Sequence, residues 1–206
     1  MSTFIYDLVN SMEERWKEVE LLIINAAEQQ QKNEELYDAI CRATIVLIVA
    51  HFEGFIKASL KSDIDDVNRF GSFLEAPDSM KRIYCSKYLN INESSNEKRL
   101  KLLIETFEQL NAILEVEPFL FENNKNPSPS IIDKIFKKFG ITNFLGMIEK
   151  SDLGDVFRNE KSQNNELLVK AKEVLKKGVL QYPYNLDLNK LNIDISRKKT
   201  KEFGLW

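Results

Sequence analysis

Hydrophobic residues recur every three or four positions along most of this chain, which is the spacing of amphipathic helices. In the first predicted helix the apolar stripe consists of Ile5, Leu8, Met12, Trp16, Val19 and Ile23. Further helices are predicted over residues 34–60, 63–74 and 79–89. Ser94 and Glu97 have the spacing of a capping box and predict the start of another helix.

The second half of the chain also has helical punctuation. Ser128 as N-cap and Pro129 at the first helical position predict a helix that ends near Gly140. Two more helices are predicted over residues 143–150 and 165–177. Beyond them, apolar residues between 186 and 195 alternate with a period near two, which predicts an extended or irregular segment.

These elements predict an all-α fold, a mainly antiparallel helical bundle. We assign residues 1–180 to the bundle and residues 181–206 to a basic, partly extended C-terminal tail. Glycine and proline are scarce, at 7 and 5 residues, which argues against a turn-rich all-β fold.

The most apolar segment lies in the second predicted helix, at residues 43–57. Residues 43–50 have no polar face, so a helix there is expected to be buried nearly all round. His51, Glu53 and Lys57 follow at once; Glu53 and Lys57 are an i, i+4 pair, and His51 lies nearly opposite them. A carboxylate at this position could belong to a polar site, although a core helix with a surface ion pair is the simpler interpretation.

Composition narrows the classes of protein. Charged residues make up 30% of the 206 and hydrophobic residues 43%, as in soluble globular domains. The longest apolar run is too short to span a bilayer and no signal peptide is recognised, so we expect a cytoplasmic protein without a membrane partner. Two cysteines and one histidine show no metal-ligand spacing, and there is no phosphate-binding loop, so neither a metal nor a cofactor is expected.

Charge is unevenly distributed. Residues 1–66 carry a balance of −7, and residues 170–206 one of +5. The tail groups four cations near two aromatic residues, the make-up of a nucleic-acid contact. These cations are Arg197, Lys198, Lys199 and Lys201. Ordinary solvated surface charge explains the same pattern.

Two stretches resemble a known family. VAHFEGFIK at residues 49–57 is similar to the first-half signature of HEPN domains of prokaryotic toxin–antitoxin and antiviral systems, in which an apolar helix ends in an aromatic–Glu–Gly–aromatic–x–Lys cluster. PSIIDKIFKKFGI at residues 129–141, after an Asn-rich loop, looks like the middle of those domains. The resemblance covers residues 34–141. It implies an all-α bundle that forms a homodimer and cuts RNA without a metal.

The resemblance also implies site residues. The family's chemistry rests on an Arg–x(4–6)–His element, often with Asn after the Arg. Arg158 and Asn159 match its start, but Gln163 stands where the His is expected. By this resemblance Arg158 would hold the scissile phosphate and Glu53 would orient the reacting groups. His51 is the histidine that remains for proton transfer.

Glutamine cannot shuttle a proton near neutral pH, so three explanations stay open. The domain is an inactive relative used for binding; or the true motif lies beyond Trp206, since residues 201–206 echo residues 137–142; or the Arg-Asn pair is a coincidence on a solvated helix end.

Two functional hypotheses follow. The first is an RNA-directed protein of a defence or toxin–antitoxin system, with an antitoxin or other protein partner. The second is a catalytically inactive helical dimerisation or protein-interaction module. A structural bundle without any nucleic-acid role is the third interpretation.

Overall fold

The computed structural model describes residues 1–89, 96–120, 128–155 and 161–193. Within these residues the chain is all-α, as predicted, and contains no strand. The α-helices are α1 (Phe4–Gln29), α2 (Glu34–Phe70), α3 (Asp78–Ser86), α4 (Asn96–Gln109), α5 (Pro129–Lys138), α6 (Phe144–Lys150), α7 (Asp152–Asp155) and α8 (Lys161–Gly178). Short 3₁₀ turns lie at Phe73–Glu75, Glu117–Phe119 and Leu188–Leu191.

Helices α1 and α2 form a long hairpin. Thr3 caps α1, its hydroxyl accepting the backbone N–H of Tyr6 at 3.0 Å. Asn33 caps α2 in the same way through the N–H of Leu36 at 3.0 Å. Both caps satisfy donors that a helix start leaves without partners.

Helix α2 is longer than its pattern predicted. We expected one helix to end near residue 60 and a second to cover residues 63–74, but α2 runs without a break to Phe70. The reason is that Ile64 and Val67 continue its buried stripe. No glycine or proline interrupts residues 55–70, and Gly71 follows the last helical residue.

Two buried clusters lie around the C-terminal half of α2. The larger one comprises Ile64, Val67, Phe73, Ala76, Met80, Tyr84, Cys85, Leu114, Phe119, Val179 and Tyr184. The smaller one joins Ile56 and Leu60 of α2 to Ile132 and Ile135 of α5. Apolar burial of this kind stabilises the fold by about 25 cal/mol per Å². The core therefore surrounds only the half of the hairpin that holds the start of α1 and the C-terminal half of α2.

The other half of the hairpin, which includes residues 43–50 of α2, projects beyond the core and is called the arm here. The expectation that residues 43–50 are buried nearly all round is wrong for the single chain: Ile45 is 63% exposed and Val46 68%. On this stretch α1 covers one face of α2, where Thr44 is buried. Among the described residues, no other helix covers the opposite face.

The predicted bounds of α5 are confirmed, but the Ser128 side chain makes no capping hydrogen bond. Ser128 precedes the helix, Pro129 opens it, and Gly140 has a positive φ of 88° just after its end. Lys138 donates from Nζ to the carbonyls of Pro118, Phe119 and Leu120 at 3.1–3.4 Å. The ammonium group thus holds the Glu117–Phe119 turn against the end of α5.

The described part of the tail packs against the bundle. Tyr184 is buried in the larger cluster, and the Thr3 hydroxyl donates to the carbonyl of Val179. The irregular segment predicted for residues 186–195 includes the 3₁₀ turn Leu188–Leu191. The predicted Ser94 cap and residues 194–206 lie outside the described residues, and the division at residue 180 stays a prediction.

Candidate functional site

Glu53 and Lys57 form the predicted ion pair on α2. Lys57 Nζ donates to Glu53 Oε1 at 2.7 Å, and the Glu53 side chain is the more buried of the two. Three residues after Glu53, Ile56 enters the small core cluster beneath α5. Glu53 is therefore a carboxylate held at the boundary between the projecting arm and the packed bundle.

Gly54 directly follows Glu53 and lies on the side of α2 that approaches α1. A Cβ added there would have the Arg15 guanidinium as its nearest neighbour, 3.9 Å away. That is ordinary van der Waals contact, so close packing does not require glycine at this position.

His51 faces α1 rather than Glu53. Its Nε2 lies 3.4 Å from Glu18 Oε2, and its ring meets Trp16 edge-on with centroids 6.2 Å apart. Nε2 is buried and, among the described residues, has no hydrogen-bond partner. His51 and Glu53 thus lie on different sides of α2, as their spacing predicted, and the helix does not bring them into one site.

The other predicted site residues lie outside the described part of the chain. This holds for Arg158 and Asn159 and for the tail cations Arg197, Lys198, Lys199 and Lys201. Gln163 is in α8, whose backbone is described from Lys161 onwards. Their roles stay predictions.

Helix α8 is tied to the hairpin by charge. Lys176 and Lys172 approach Glu13 of α1 at 3.1 and 3.5 Å. The hydrogen bond and charge of Lys176, with help from Lys172, hold the pKa of Glu13 below its usual value. The helix that follows Arg158 and Asn159 is thereby placed beside α1.

A polar cluster that the sequence analysis missed lies at the base of the hairpin. Asp66 is fully buried and accepts three hydrogen bonds: from the backbone N–H groups of Phe4 at 2.7 Å and Ile5 at 3.1 Å, and from the Tyr184 hydroxyl at 2.6 Å. The carboxylate thus caps the start of α1 from another helix. Negative charge there also complements the positive end of the helix dipole.

Asp63 lies one turn before Asp66 and is half-buried. Burial, and then the charge of Asp66, raises the pKa of Asp63 to about 7, against a lowering contribution from a hydrogen bond with Tyr184. Burial is also the first cause that raises the pKa of Tyr182 to about 12. Two carboxylates three residues apart within an apolar stripe were the signal available in the sequence.

Within the described residues no group of three or more His, Cys, Asp or Glu side chains is placed to hold a metal ion. The carboxylates of the polar cluster are engaged by backbone N–H groups and a tyrosine. Their arrangement supports the helix start and the attachment of the tail.

Comparison with known protein families assigns most of the chain to a family. A family model described as RiboL-PSP-HEPN matches residues 10–170. The chain belongs to the HEPN family. No curated protein and no solved structure shows significant similarity to it.

The HEPN match extends beyond the resemblance seen in the sequence. It begins within α1 and ends within α8, so it includes Glu53, Arg158 and Asn159 and the helices around the two core clusters. The cations at residues 197–201 follow the matched region. The all-α bundle and the family assignment are both confirmed.

Proposed function

We propose that this HEPN protein is an RNA-directed component of a defence or toxin–antitoxin system and acts as a metal-independent endoribonuclease. The observation that carries the proposal is the HEPN match, which includes the Arg158-Asn159 pair and Glu53 in one domain. HEPN proteins are often ribonucleases, and this chain keeps two of the residue types that such chemistry uses.

The proposed roles follow from the chemistry of each group. Arg158 would hold the scissile phosphate, since a guanidinium binds phosphate through paired donors. Asn159 would add a neutral hydrogen bond. Glu53, restrained by Lys57 at 2.7 Å, would orient the groups around the attacking 2′-hydroxyl.

Proton transfer is the open step in this scheme. Gln163 offers an amide, which donates and accepts hydrogen bonds without exchanging a proton. His51 points to Glu18 on the α1 side of α2, away from the Glu53 side chain. Water would then take the proton of the 2′-hydroxyl as its oxygen attacks the phosphorus. Water would also protonate the 5′-oxygen as its bond to phosphorus breaks, so cleavage would be slow.

The test is incubation of the purified protein with a mixed RNA pool in EDTA. The parent is expected to cleave, and Arg158→Ala to lose cleavage while keeping its helical circular dichroism. Arg99→Ala is the matched control, because it removes an exposed arginine from α4. Cleavage retained by Arg158→Ala, or lost equally in Arg99→Ala, would remove Arg158 from the site.

The second candidate is a catalytically inactive helical interaction module. Gln163 in place of histidine favours it, and so does the exposed apolar arm. Its expected result is RNA or protein binding without product formation. If RNA binding is carried by the basic tail, it should weaken steeply as salt rises.

A further inference from the structure

A groove lies where the C-terminal half of α8 meets the chain segment that follows it. It encloses about 950 Å³, a size typical of small-molecule sites in proteins. One wall is a single face of α8, on which Lys170, Glu173, Val174 and Lys177 are spaced i, i+3, i+4 and i+7. All the lining residues except Lys170 follow the region that the HEPN family model matches.

The opposite wall of the groove is held in place by the core. Tyr182 stacks on Phe70 of α2 with ring centroids 6.5 Å apart. Gly71 allows this close packing, because an added Cβ would lie 3.0 Å from Tyr182 Cε1. The Asn185 N–H donates to the Gly178 carbonyl at 2.9 Å, which returns the segment to the end of α8. The walls are therefore ordered in the free protein, and a ligand would not have to order them on binding.

Charges of both signs line the groove. Three lysines and two carboxylates give it a net charge of +1. Two of these lysines already have acidic partners. Lys190 Nζ lies 3.3 Å from Asp187 Oδ2, and Lys170 Nζ lies 3.9 Å from Asp152 Oδ2. These two cations are therefore largely offset by the protein itself.

The remaining charged side chains of the groove are Lys177 and Glu173. Among the described residues, neither has an ion-pair or hydrogen-bond partner, although the two are i, i+4 neighbours on α8. Lys177 lies in the last turn of the helix, where a cation also complements the helix dipole. No acidic side chain in the described residues neutralises it. One ammonium group and one carboxylate thus face the same groove, about one helical turn apart.

Each part of the groove fits a different part of one kind of ligand. The unpaired ammonium group would bind a phosphate as a compact point charge. Glu173, with the side-chain amides of Gln181 and Asn185, can accept hydrogen bonds from hydroxyl groups. Pro183 and Tyr182 offer an apolar wall for the carbon face of a ring. A phosphate monoester that carries ring hydroxyl groups has all three parts, and sugar phosphates and nucleotides share this chemistry.

A long RNA strand is a poorer fit to this groove. Its phosphates repeat along its length, so a groove that follows it is expected to be cationic throughout. Here Glu173 lies between Lys170 and Lys177 on the same face of α8, and Asp187 lines the groove as well. A small ligand can place its one phosphate at Lys177 and its hydroxyl groups at Glu173.

We propose that this groove binds a small phosphate monoester with ring hydroxyl groups, with Lys177 at the phosphate and Glu173 at a hydroxyl group. The site lies beside the HEPN-matched region, and its occupation does not depend on RNA cleavage. Ligand binding and cleavage can therefore fail separately.

The test is isothermal titration calorimetry of the full chain without RNA, with adenosine 5′-monophosphate and ribose 5-phosphate as separate probes. At least one probe is expected to bind at one site per chain with a dissociation constant below about 100 µM. Inorganic phosphate should bind about 10-fold more weakly or less, because it makes only the contact with the ammonium group.

Two variants separate this site from simple attraction of anions. Lys177→Gln should weaken binding of the probe by about 10-fold or more, as expected when a hydrogen bond to a charged group is lost. Glu173→Gln should also weaken binding, whereas a site that only attracts anions would bind more tightly without the carboxylate. Lys101→Gln is the matched control, because Lys101 is an exposed lysine of α4, which does not line the groove.

The choice of probe identifies the source of the phosphate. Binding of adenosine 5′-monophosphate alone would assign the site to nucleotides, and binding of ribose 5-phosphate would assign it to sugar phosphates; both results support the proposal. Four results overturn it: neither probe binds, Lys177→Gln binds like the parent, Lys101→Gln loses binding equally, or Glu173→Gln binds more tightly.

Two further measurements keep the test decisive. Circular dichroism checks that each variant is folded, and if Lys177→Gln loses helicity, Lys190→Gln is judged by the same criteria. A single-stranded oligoribonucleotide is titrated in parallel. If it binds in a way that depends on Lys177 while neither small probe binds, the groove belongs to an RNA strand and the small ligand is refuted.

Discussion

Tyr184 donates a 2.6 Å hydrogen bond to the fully buried carboxylate of Asp66, 118 residues earlier in the chain. The same carboxylate accepts two backbone N–H groups at the start of α1. One side chain thus joins the first helix, the second helix and the C-terminal segment, and removing its tyrosine partner tests that connection.

Tyr184→Phe is expected to lower the free energy of unfolding by about 1.5–3 kcal/mol, the range for a hydrogen bond to a charged group. The ring keeps its apolar contacts, so the loss reports the hydroxyl alone. Urea denaturation followed by circular dichroism measures it. Tyr88→Phe is the control, because Tyr88 is exposed and its hydroxyl lies 3.4 Å from that of Tyr84. Equal losses in both variants would contradict the role of Asp66.

Asp63 makes stability depend on pH. Its pKa is about 7 in the folded protein against an ordinary value of 3.8, so the folded state binds the proton more tightly. The contribution of Asp63 to the free energy of unfolding is fully present below about pH 4. It is lost as the pH rises from about 4 through 7. Asp63→Asn should remove that slope and exceed the parent at pH 8 by on the order of 1–3 kcal/mol. Denaturation at pH 5 and pH 8 measures both; an unchanged slope would show that Asp63 does not titrate in this range.

Gly54→Ala should stabilise the protein by about 0.5–1 kcal/mol, because glycine in a helix interior loses more backbone entropy than alanine. The nearest atom to the new methyl group, on Arg15, is 3.9 Å away. Gly140→Ala is the opposite case: its φ of 88° and a 3.2 Å approach to Ser79 Oγ predict destabilisation. Thermal unfolding of the two variants should shift in opposite directions. A lower unfolding temperature in Gly54→Ala would mean that the arm tolerates no added volume at residue 54.

Gln163→His tests the proton-transfer step of the proposed nuclease. If Arg158 binds the phosphate, a histidine five residues later should raise the cleavage rate by about 10²–10⁴-fold, the usual contribution of general acid–base catalysis. The gain should follow a group with a pKa near 6.5. Gln163→Asn is the control that cannot titrate. A rate that does not change, in a parent that cleaves, would place Gln163 away from the reacting atoms.

Local signals in the sequence predicted local structure well. Pro129 and Gly140 marked the two ends of α5 because each acts through its own backbone geometry. The i, i+4 spacing likewise predicted the contact of Glu53 with Lys57.

Features that depend on distant partners could not be read in this way. The apolar residues 43–50 predicted a helix covered on every side. They could not show that α1 covers one face of this helix and that Ile45 and Val46, on another face, stay exposed. The hydrogen bonds of Asp66 could not be predicted locally, because its donors, at Phe4, Ile5 and Tyr184, are 61 to 118 residues away. The sequence predicted the helical position of Glu53 beside Lys57. That Glu53 lies at the base of the arm depends on where α5 packs, which the sequence did not reveal.

The attachment of Thr3 to Val179 also orders events during synthesis. The contact joins residues 176 positions apart. The hydrogen bond from Tyr184 to Asp66 likewise forms only after 118 further residues have been added. At about 5–20 residues per second, the ribosome needs on the order of 10–30 s to add the intervening chain. In the later part of that time the arm has been synthesised while the start of α1 still lacks part of its cap, so we expect the nascent chain to bind chaperones that hold exposed hydrophobic surface.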